Sequence, residues 1–269
     1  MSVERQRTWD PEDEMALAIG LEKPFTAPGR DVLTLPGAFE HALSRSFVAF
    51  QPIVSWRERA VYGFEALVRS RGRVLRGASE LVSAAESLGT LPALGRSVRA
   101  AVARAVPAAP EGALLFVNVH PDDLLDPELS SAGAPLSRVA GRVVLELTER
   151  AASIRGGEIR ERIAALRHLG YRIAIDDLGT GYSALALLAE LQPEFVKLDM
   201  SLVRRLDRDE KRRRIVGHVL SLLRDLGARA IAEGVETPAE RDALEVLGAP
   251  LQQGFLFGTP GPGLVAPSW

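Results

Sequence analysis

The chain has 269 residues, with 33 Lys and Arg against 35 Asp and Glu and a hydrophobic content of 46%. The near-neutral balance gives no electrostatic ground for a DNA or RNA polymer as partner, and the apolar share is that of an ordinary globular protein. Zero Cys excludes disulfides, thiolate metal sites and a cysteine nucleophile.

The start, Met1-Ser2-Val3-Glu4-Arg5, carries no apolar export segment, and no apolar run reaches membrane-spanning length. A cytoplasmic protein without membrane insertion is expected. Residues 1–37 read as an N-terminal arm. In it Trp9-Asp10-Pro11-Glu12-Asp13-Glu14 provides a cap and acidic first turn for a short helix over 15–21. Pro24, Pro28, Gly29, Pro36 and Gly37 then interrupt the chain.

A barrel domain is expected over 38–269. Short β-rich runs recur at 47–54, 61–68, 114–120, 143–148, 172–177, 194–199, 228–233 and 251–257. Amphipathic stretches of helical length lie between most of them, at 78–106, 157–169, 183–191, 210–226 and 238–247. This alternation predicts parallel pairing through helical crossovers, and eight strands predict closure. Only residues 55–60 separate the first two runs, too few for a crossover, so the first strand should be antiparallel. The predicted fold class is α/β, a modified (β/α)8 TIM-type barrel with its first strand antiparallel.

Side-chain parity sorts each strand into two faces. In Leu114-Leu115-Phe116-Val117-Asn118-Val119-His120, Asn118 falls opposite Val117 and Val119; in Val143-Val144-Leu145-Glu146-Leu147, Glu146 falls opposite the apolar set. Lys197 does the same in Phe195-Val196-Lys197-Leu198-Asp199, while Gly63-Phe64-Glu65 and Ile231-Ala232-Glu233 each end in a carboxylate. The apolar faces should meet the helices and the polar faces the barrel interior, at the strand C-termini where barrel active sites lie. Two like charges about 4 Å apart repel by roughly 4 kcal/mol at an effective dielectric of 20. Lys197 alone cannot balance Glu65, Glu146, Asp176, Asp177 and Glu233. Divalent metal is the remaining compensation, and oxygen and amide donors suit Mg²⁺ or Mn²⁺. Asp176 and Asp177 are adjacent, so the strand must end or twist there; Leu178-Gly179-Thr180-Gly181 follows directly.

Eight motifs now stand in order: Phe50-Gln51-Pro52-Ile53, Glu65-Ala66-Leu67-Val68-Arg69, Val117-Asn118-Val119, Glu146-Leu147-Thr148-Glu149, Asp176-Asp177-Leu178-Gly179-Thr180-Gly181-Tyr182-Ser183, Val196-Lys197-Leu198-Asp199, Ala232-Glu233-Gly234-Val235-Glu236-Thr237 and Gln253-Gly254-Phe255-Leu256-Phe257. The chain resembles the EAL domain, the bacterial cyclic di-GMP phosphodiesterase, over about residues 38–262. The resemblance implies hydrolysis of one phosphodiester bond of cyclic di-GMP to linear pGpG with two Mg²⁺ or Mn²⁺ ions, and a homodimer.

Carried over by position, the resemblance implies Glu65, Asn118, Glu146 and Asp176 as ligands of one ion. Asp176 would bridge to a second ion, held also by Asp177 and approached by Glu233. Lys197 would help activate the attacking water, with Gln253 supporting it or the adjacent site. Gln51, Leu67 and Arg69 match substrate-contacting positions. Glu149 and Glu236 match acids lying behind the ligands; Glu149, with Thr180, would anchor the loop 178–183, which couples metal site to dimer interface. The chain departs from the pattern in its short, Arg-rich segment 70–77, in Leu178 where Phe is usual, and in His120 where Ser or Thr is common. Other readings are a cyclic di-GMP receptor or interaction module without turnover, and a barrel hydrolase of another phosphodiester.

The basic run over 204–214 is interspersed with acids and reads as a solvated face. His41, His120, His168 and His218 lack metal-ligand spacing, and neither a Gly-x-Ser-x-Gly elbow nor a Walker loop is present.

Overall fold

A computed structural model describes residues 34–72, 74–148, 150–151, 156–179 and 184–269. The chain divides into two compact units, whose described parts are 34–46 with 69–94, and 47–68 with 95–269. The helix expected over 15–21 lies outside the described residues.

In the smaller unit, helix α1 (Leu35–Ser44) packs with α2 (Ala78–Ser87), burying Ala38, Phe39 and Ala42 on one and Leu81, Ala84 and Ala85 on the other. Pro36 and Gly37, read as breakers, instead occupy the first turn of α1. Proline is tolerated there because its missing N–H would have no helical partner. The amphipathic stretch 78–106 holds two helices, α2 and α3 (Leu91–Ala105). Gly89, at φ +64°, turns the chain between them, a conformation costly for residues with a Cβ. In the short segment after 69, Ser70 Oγ donates to the Ala42 carbonyl at 2.8 Å and accepts from Gly72 N at 2.8 Å.

The larger unit is built on a closed barrel of eight strands in sequence order: β1 (Ser46–Ser55), β2 (Ala60–Ser70), β3 (Leu114–Asn118), β4 (Val143–Leu147), β5 (Arg172–Leu178), β6 (Phe195–Leu198), β7 (Arg229–Ala232) and β8 (Leu251–Gln253). Strands β2 to β8 are parallel, whereas β1 pairs antiparallel with β8 through Ile53 opposite Gln253 and Val54 opposite Gln252. A four-residue turn, 56–59, joins β1 to β2 and leaves no room for a helix. The remaining helices are α4 (Pro121–Leu124), α5 (Gly156–His168), α6 (Ala184–Leu191), α7 (Met200–Val203), α8 (Glu210–Asp225) and α9 (Pro238–Leu247). No helix among the described residues is long and apolar enough to cross a membrane.

Parity separates two cores. Outward-facing Leu115, Val117, Leu145, Leu147, Ile173, Ile175, Val196 and Leu198 join the large cluster beneath the helices. Inside the barrel, Ile53, Leu114, Phe116, Val144, Ala174, Phe195, Ile231 and Leu251 form a separate apolar plug. Phe116 and Phe195 meet edge to face in it at 5.3 Å. The plug fills the barrel only partway up, and what lies above it is polar.

Candidate active site

Two residues beyond the last plug residue of each of these strands, on the same face, the side chain changes character. Phe116 is followed by Asn118, Val144 by Glu146, Ala174 by Asp176, Phe195 by Lys197, Ile231 by Glu233 and Leu251 by Gln253. On the reversed β1 the step runs backwards, from Ile53 to Gln51. One ring of side chains at the strand C-termini is therefore polar because of strand period alone, and the apolar plug closes it from below.

Lys197 stands at the centre of this ring with its side chain 1% exposed. Its Nζ lies 2.8 Å from Glu233 Oε1, 3.0 Å from Glu146 Oε1, 3.2 Å from Asp176 Oδ1 and 3.3 Å from Glu65 Oε1. The contact to Glu146 has ion-pair distance without hydrogen-bond geometry, so both oxygens of this fully buried carboxylate lack a hydrogen-bond partner among the described residues. Burial pushes the Glu146 carboxyl well above the usual range, and the charges of Glu65, Asp176 and Glu233 add to the push against the attraction of Lys197. Burial likewise drives Glu233 up to about 8, only partly offset by Lys197. Glu65 moves the other way: burial opposes its ionisation, but Lys197 and hydrogen bonds from Gln253 and Asn118 outweigh it. The Lys197 ammonium, although buried, is held well above its ordinary value by the four acids.

The adjacent pair Asp176-Asp177 is accommodated by a bulge. Between Ile175 and Leu178, β5 advances three residues while β6 advances two, from Val196 to Leu198. The extra residue takes up a left-handed turn at Asp177, φ +59°, a conformation that Asp tolerates better than most residues. As a result, one oxygen each from Asp176, Asp177 and Glu233 fall within 4.8 Å of one another. Burial, reinforced by the neighbouring Asp176 charge, raises the Asp177 carboxyl to about 6.

Amides complete the ring. Asn118 Nδ2 donates to Glu65 Oε1 at 3.0 Å, and Gln253 Nε2 donates to Glu65 Oε2 at 2.6 Å and Gln51 Oε1 at 3.1 Å. Gln51 in turn donates from Nε2 to the Gly258 carbonyl at 3.1 Å. Gln253 is fixed from behind because its carbonyl accepts from Val235 N at 3.0 Å. A Cβ on the next residue, Gly254, would stand 2.0 Å from the Val235 carbonyl oxygen, so only glycine fits that crossing. The donor set is all oxygen and amide, carries acids in excess of its one ammonium, and contains an unsatisfied buried carboxylate. These are the properties of residues that hold a hard divalent cation.

The EAL domain family model matches residues 35–260. The chain belongs to the EAL domain family. The probable cyclic di-GMP phosphodiesterase PdeG of Escherichia coli K12 is 33% identical over 222 residues, covering 78% of this chain and 44% of the relative. The cyclic di-GMP phosphodiesterase PdeR of the same organism is 32% identical over 235 residues, covering 82% of this chain and 35% of the relative. The chain thus spans less than half the length of these curated relatives. Among solved structures, a standalone versatile EAL protein from Vibrio cholerae O395 in its c-di-GMP-bound form is 31% identical, with a TM-score of 0.71, covering 83% of this chain and 95% of that one. BlrP1 of Klebsiella pneumoniae in a manganese and cyclic di-GMP complex is 29% identical, with a TM-score of 0.71, covering 90% of this chain and 59% of that one.

Of the residues that the EAL resemblance picks out, Gln51, Glu65, Glu146, Asp176, Asp177, Lys197, Glu233 and Gln253 gather with Asn118 in the larger unit. Leu67 lies half-buried one strand repeat beyond Glu65, and Arg69 belongs to the smaller unit. Glu149, Thr180 and most of the loop 178–183 lie outside the described residues. Glu236 is exposed and ion-paired with Arg204. The carboxylate that organises this part of the rim is Glu240, on which the sequence reading was silent. It is 4% exposed and accepts from the backbone N–H groups of Arg205, Glu236 and Thr237, each at 3.1 Å. The signal was present as Thr237-Pro238-Ala239-Glu240, a capping box that starts α9 with Pro at its first turn. Also unforeseen is a buried cluster at the segment after β3, where Arg99 donates to Asp123 and Asp126 at 2.6 Å each, and Asp123 accepts from His120 N at 3.2 Å.

Proposed function

We propose that this EAL domain hydrolyses one phosphodiester bond of cyclic di-GMP to linear pGpG, with two divalent cations, Mg²⁺ or Mn²⁺. The observation that carries this reading is the convergence of five carboxylates, Glu65, Glu146, Asp176, Asp177 and Glu233, around the single ammonium of Lys197. Carboxylates this close together repel one another; bound protons offset that repulsion when no metal is present, and divalent cations would offset it with the acids ionised. The c-di-GMP-bound relatives support the substrate assignment.

Glu65, Asn118, Glu146 and Asp176 would hold one cation, and Asp176, Asp177 and Glu233 the other. When bound, such ions draw charge from the phosphate and make water acidic enough to attack at neutral pH. The chain's own groups then have separate tasks. Lys197 supplies a positive charge fixed between the acids, where negative charge grows as the phosphate is attacked. Gln253 and Gln51, linked to each other and to Glu65, hold the rim that faces the substrate and keep the Glu65 carboxylate oriented. The apolar plug below excludes water from beneath, so the charges act in a poorly screened setting. Leu67 and Arg69 would contact substrate. A homodimer through the face near residues 178–183, which follow Asp176 and Asp177 in sequence, is also proposed.

Incubation of the purified protein with cyclic di-GMP and Mn²⁺, with pGpG followed chromatographically, tests this. Formation of pGpG that disappears in Glu65→Ala supports it. Tight binding without turnover would instead make the protein a receptor, the alternative raised by the short segment 70–77. Neither binding nor turnover of cyclic di-GMP would point to another phosphodiester.

A further inference from the structure

The opposite end of the barrel carries a second cluster of charge with the reverse sign. Arg142 ends the short helix just before β4, Arg172 is the first residue of β5, and Arg229 is the first residue of β7. With Tyr62 and Phe195 they line a cavity of about 510 Å³ at the N-terminal mouth. The one carboxylate among the described lining residues, Glu194, is engaged elsewhere: it is ion-paired with Arg167 at 3.0 Å and accepts from Ile173 N at 2.8 Å. Arg172 and Arg229 have no carboxylate partner among the described residues. This distinguishes them from the basic run over 204–214, where Arg204, Arg208, Arg212, Arg213 and Arg214 each face an acid.

Two of the three guanidinium groups, those of Arg142 and Arg229, are also held in place. Arg142 donates from Nε and Nη2 to the carbonyls of Ala113 and Pro110, both at 2.7 Å, leaving Nη1 without a partner among the described residues. Arg229 lies with its guanidinium carbon 4.3 Å over the Tyr62 ring, which itself rests against Phe195 at 5.8 Å. Pre-ordered arginines lose less entropy on meeting an anion, and their forked donors match phosphate oxygens. Three positive charges around one cavity call for a multiply charged ligand, and the volume is that of a small-molecule site.

We propose that the N-terminal mouth of the barrel is a second site, which binds the diphosphate group of a free diphosphate or of a nucleoside diphosphate. It is separate from the carboxylate ring, because the apolar plug of the barrel lies between the two ends. The inference does not rest on the cyclic di-GMP reading.

The test is calorimetric titration of the full chain with pyrophosphate and with GDP at constant ionic strength and without divalent metal, combined with hydrogen exchange. Saturable binding is expected, with protection around residues 110–114, 141–143 and 227–229 and none around 253–257. Arg172→Ala/Arg229→Ala should weaken binding at least tenfold, Arg172→Lys/Arg229→Lys should retain part of it, and Glu65→Ala should leave it unchanged. Tighter binding of GDP than of pyrophosphate identifies a nucleotide as the occupant; equal affinity identifies the diphosphate alone. Absence of saturable binding to both probes, protection confined to the carboxylate ring, or full affinity in the double alanine variant would overturn the proposal. Should the alanine variant fail to fold, the wild-type titration and the lysine variant decide.

Discussion

Lys197 Nζ lies 3.0 Å from Oε1 of Glu146, and that carboxylate, fully buried, accepts no hydrogen bond among the described residues. Among the described residues, Lys197 therefore serves as the only internal counter-charge for an acid that the rest of the ring repels. The same ammonium is shared with Glu65, Asp176 and Glu233, so each acid receives only a fraction of one positive charge.

Removing that ammonium should have two effects. Without metal, Lys197→Met should cost about 3–5 kcal/mol of stability, the range for breaking a buried ion pair. Turnover of cyclic di-GMP by Lys197→Ala should fall further than its binding. Urea melts and separate kcat and Kd measurements read these; an equal loss in turnover and binding would sink the proposed role in the chemistry.

Cations should stabilise the folded protein in proportion to their affinity. At a hundredfold excess over Kd, Mn²⁺ should contribute about 2.7 kcal/mol, seen as a rise in Tm that EDTA reverses. Asp176→Asn, at the position proposed to be shared by both ions, should abolish most of the rise. A shift equal to that of the wild type would remove Asp176 from the ligand set.

Glu233 is held up to about 8 by burial, which Lys197 only partly offsets, and Asp177 to about 6 by burial and then Asp176. Both groups bind their protons more tightly folded than unfolded, where carboxyls titrate near 4. The sign follows: in the absence of metal these two groups take stability away as pH rises from about 4 through 8, and the loss is complete above that. A cation must displace those protons, so Mn²⁺ affinity should climb between pH 6 and 8 and then level off. Melting temperatures across pH, with EDTA and with Mn²⁺, provide the check; a flat metal affinity would contradict it.

Glu240→Ala should leave the N–H groups of Arg205, Glu236 and Thr237 without their acceptor. Loss of a charged acceptor shared by three part-buried hydrogen bonds is expected to cost roughly 2 kcal/mol. Because Glu236 and Thr237 follow Glu233 closely, kcat should fall as well, and Glu240→Gln should recover part of both. Denaturant midpoints and turnover of the two variants test this.

Gly254→Ala would drive a Cβ into the Val235 backbone, at 2.0 Å from its carbonyl oxygen. The expected outcome is a displaced Gln253 and lost activity with retained secondary structure. Wild-type turnover in this variant would show that the crossing can relax.

Much of the architecture was open to reading from residue order. The eight strands, the antiparallel first one, and the period that puts Asn118, Glu146 and Lys197 on one face all depend on local pattern, since strand parity is a property of the backbone. What parity could not supply was any relation between side chains far apart in sequence. That Lys197 is shared among four acids, that Gln253 ties Glu65 to Gln51, and that Glu240 rather than Glu236 organises the loop after β7 depend on barrel closure. The bulge at Asp176-Asp177 lies between these cases: adjacent acids signalled an irregularity, but its position was settled by β5 gaining one residue on β6. By itself the sequence determined which side chains point inward at each strand end. Only the tertiary structure decided which of them meet, because distance between strands is set by closure and register and not by the order of residues along any one of them.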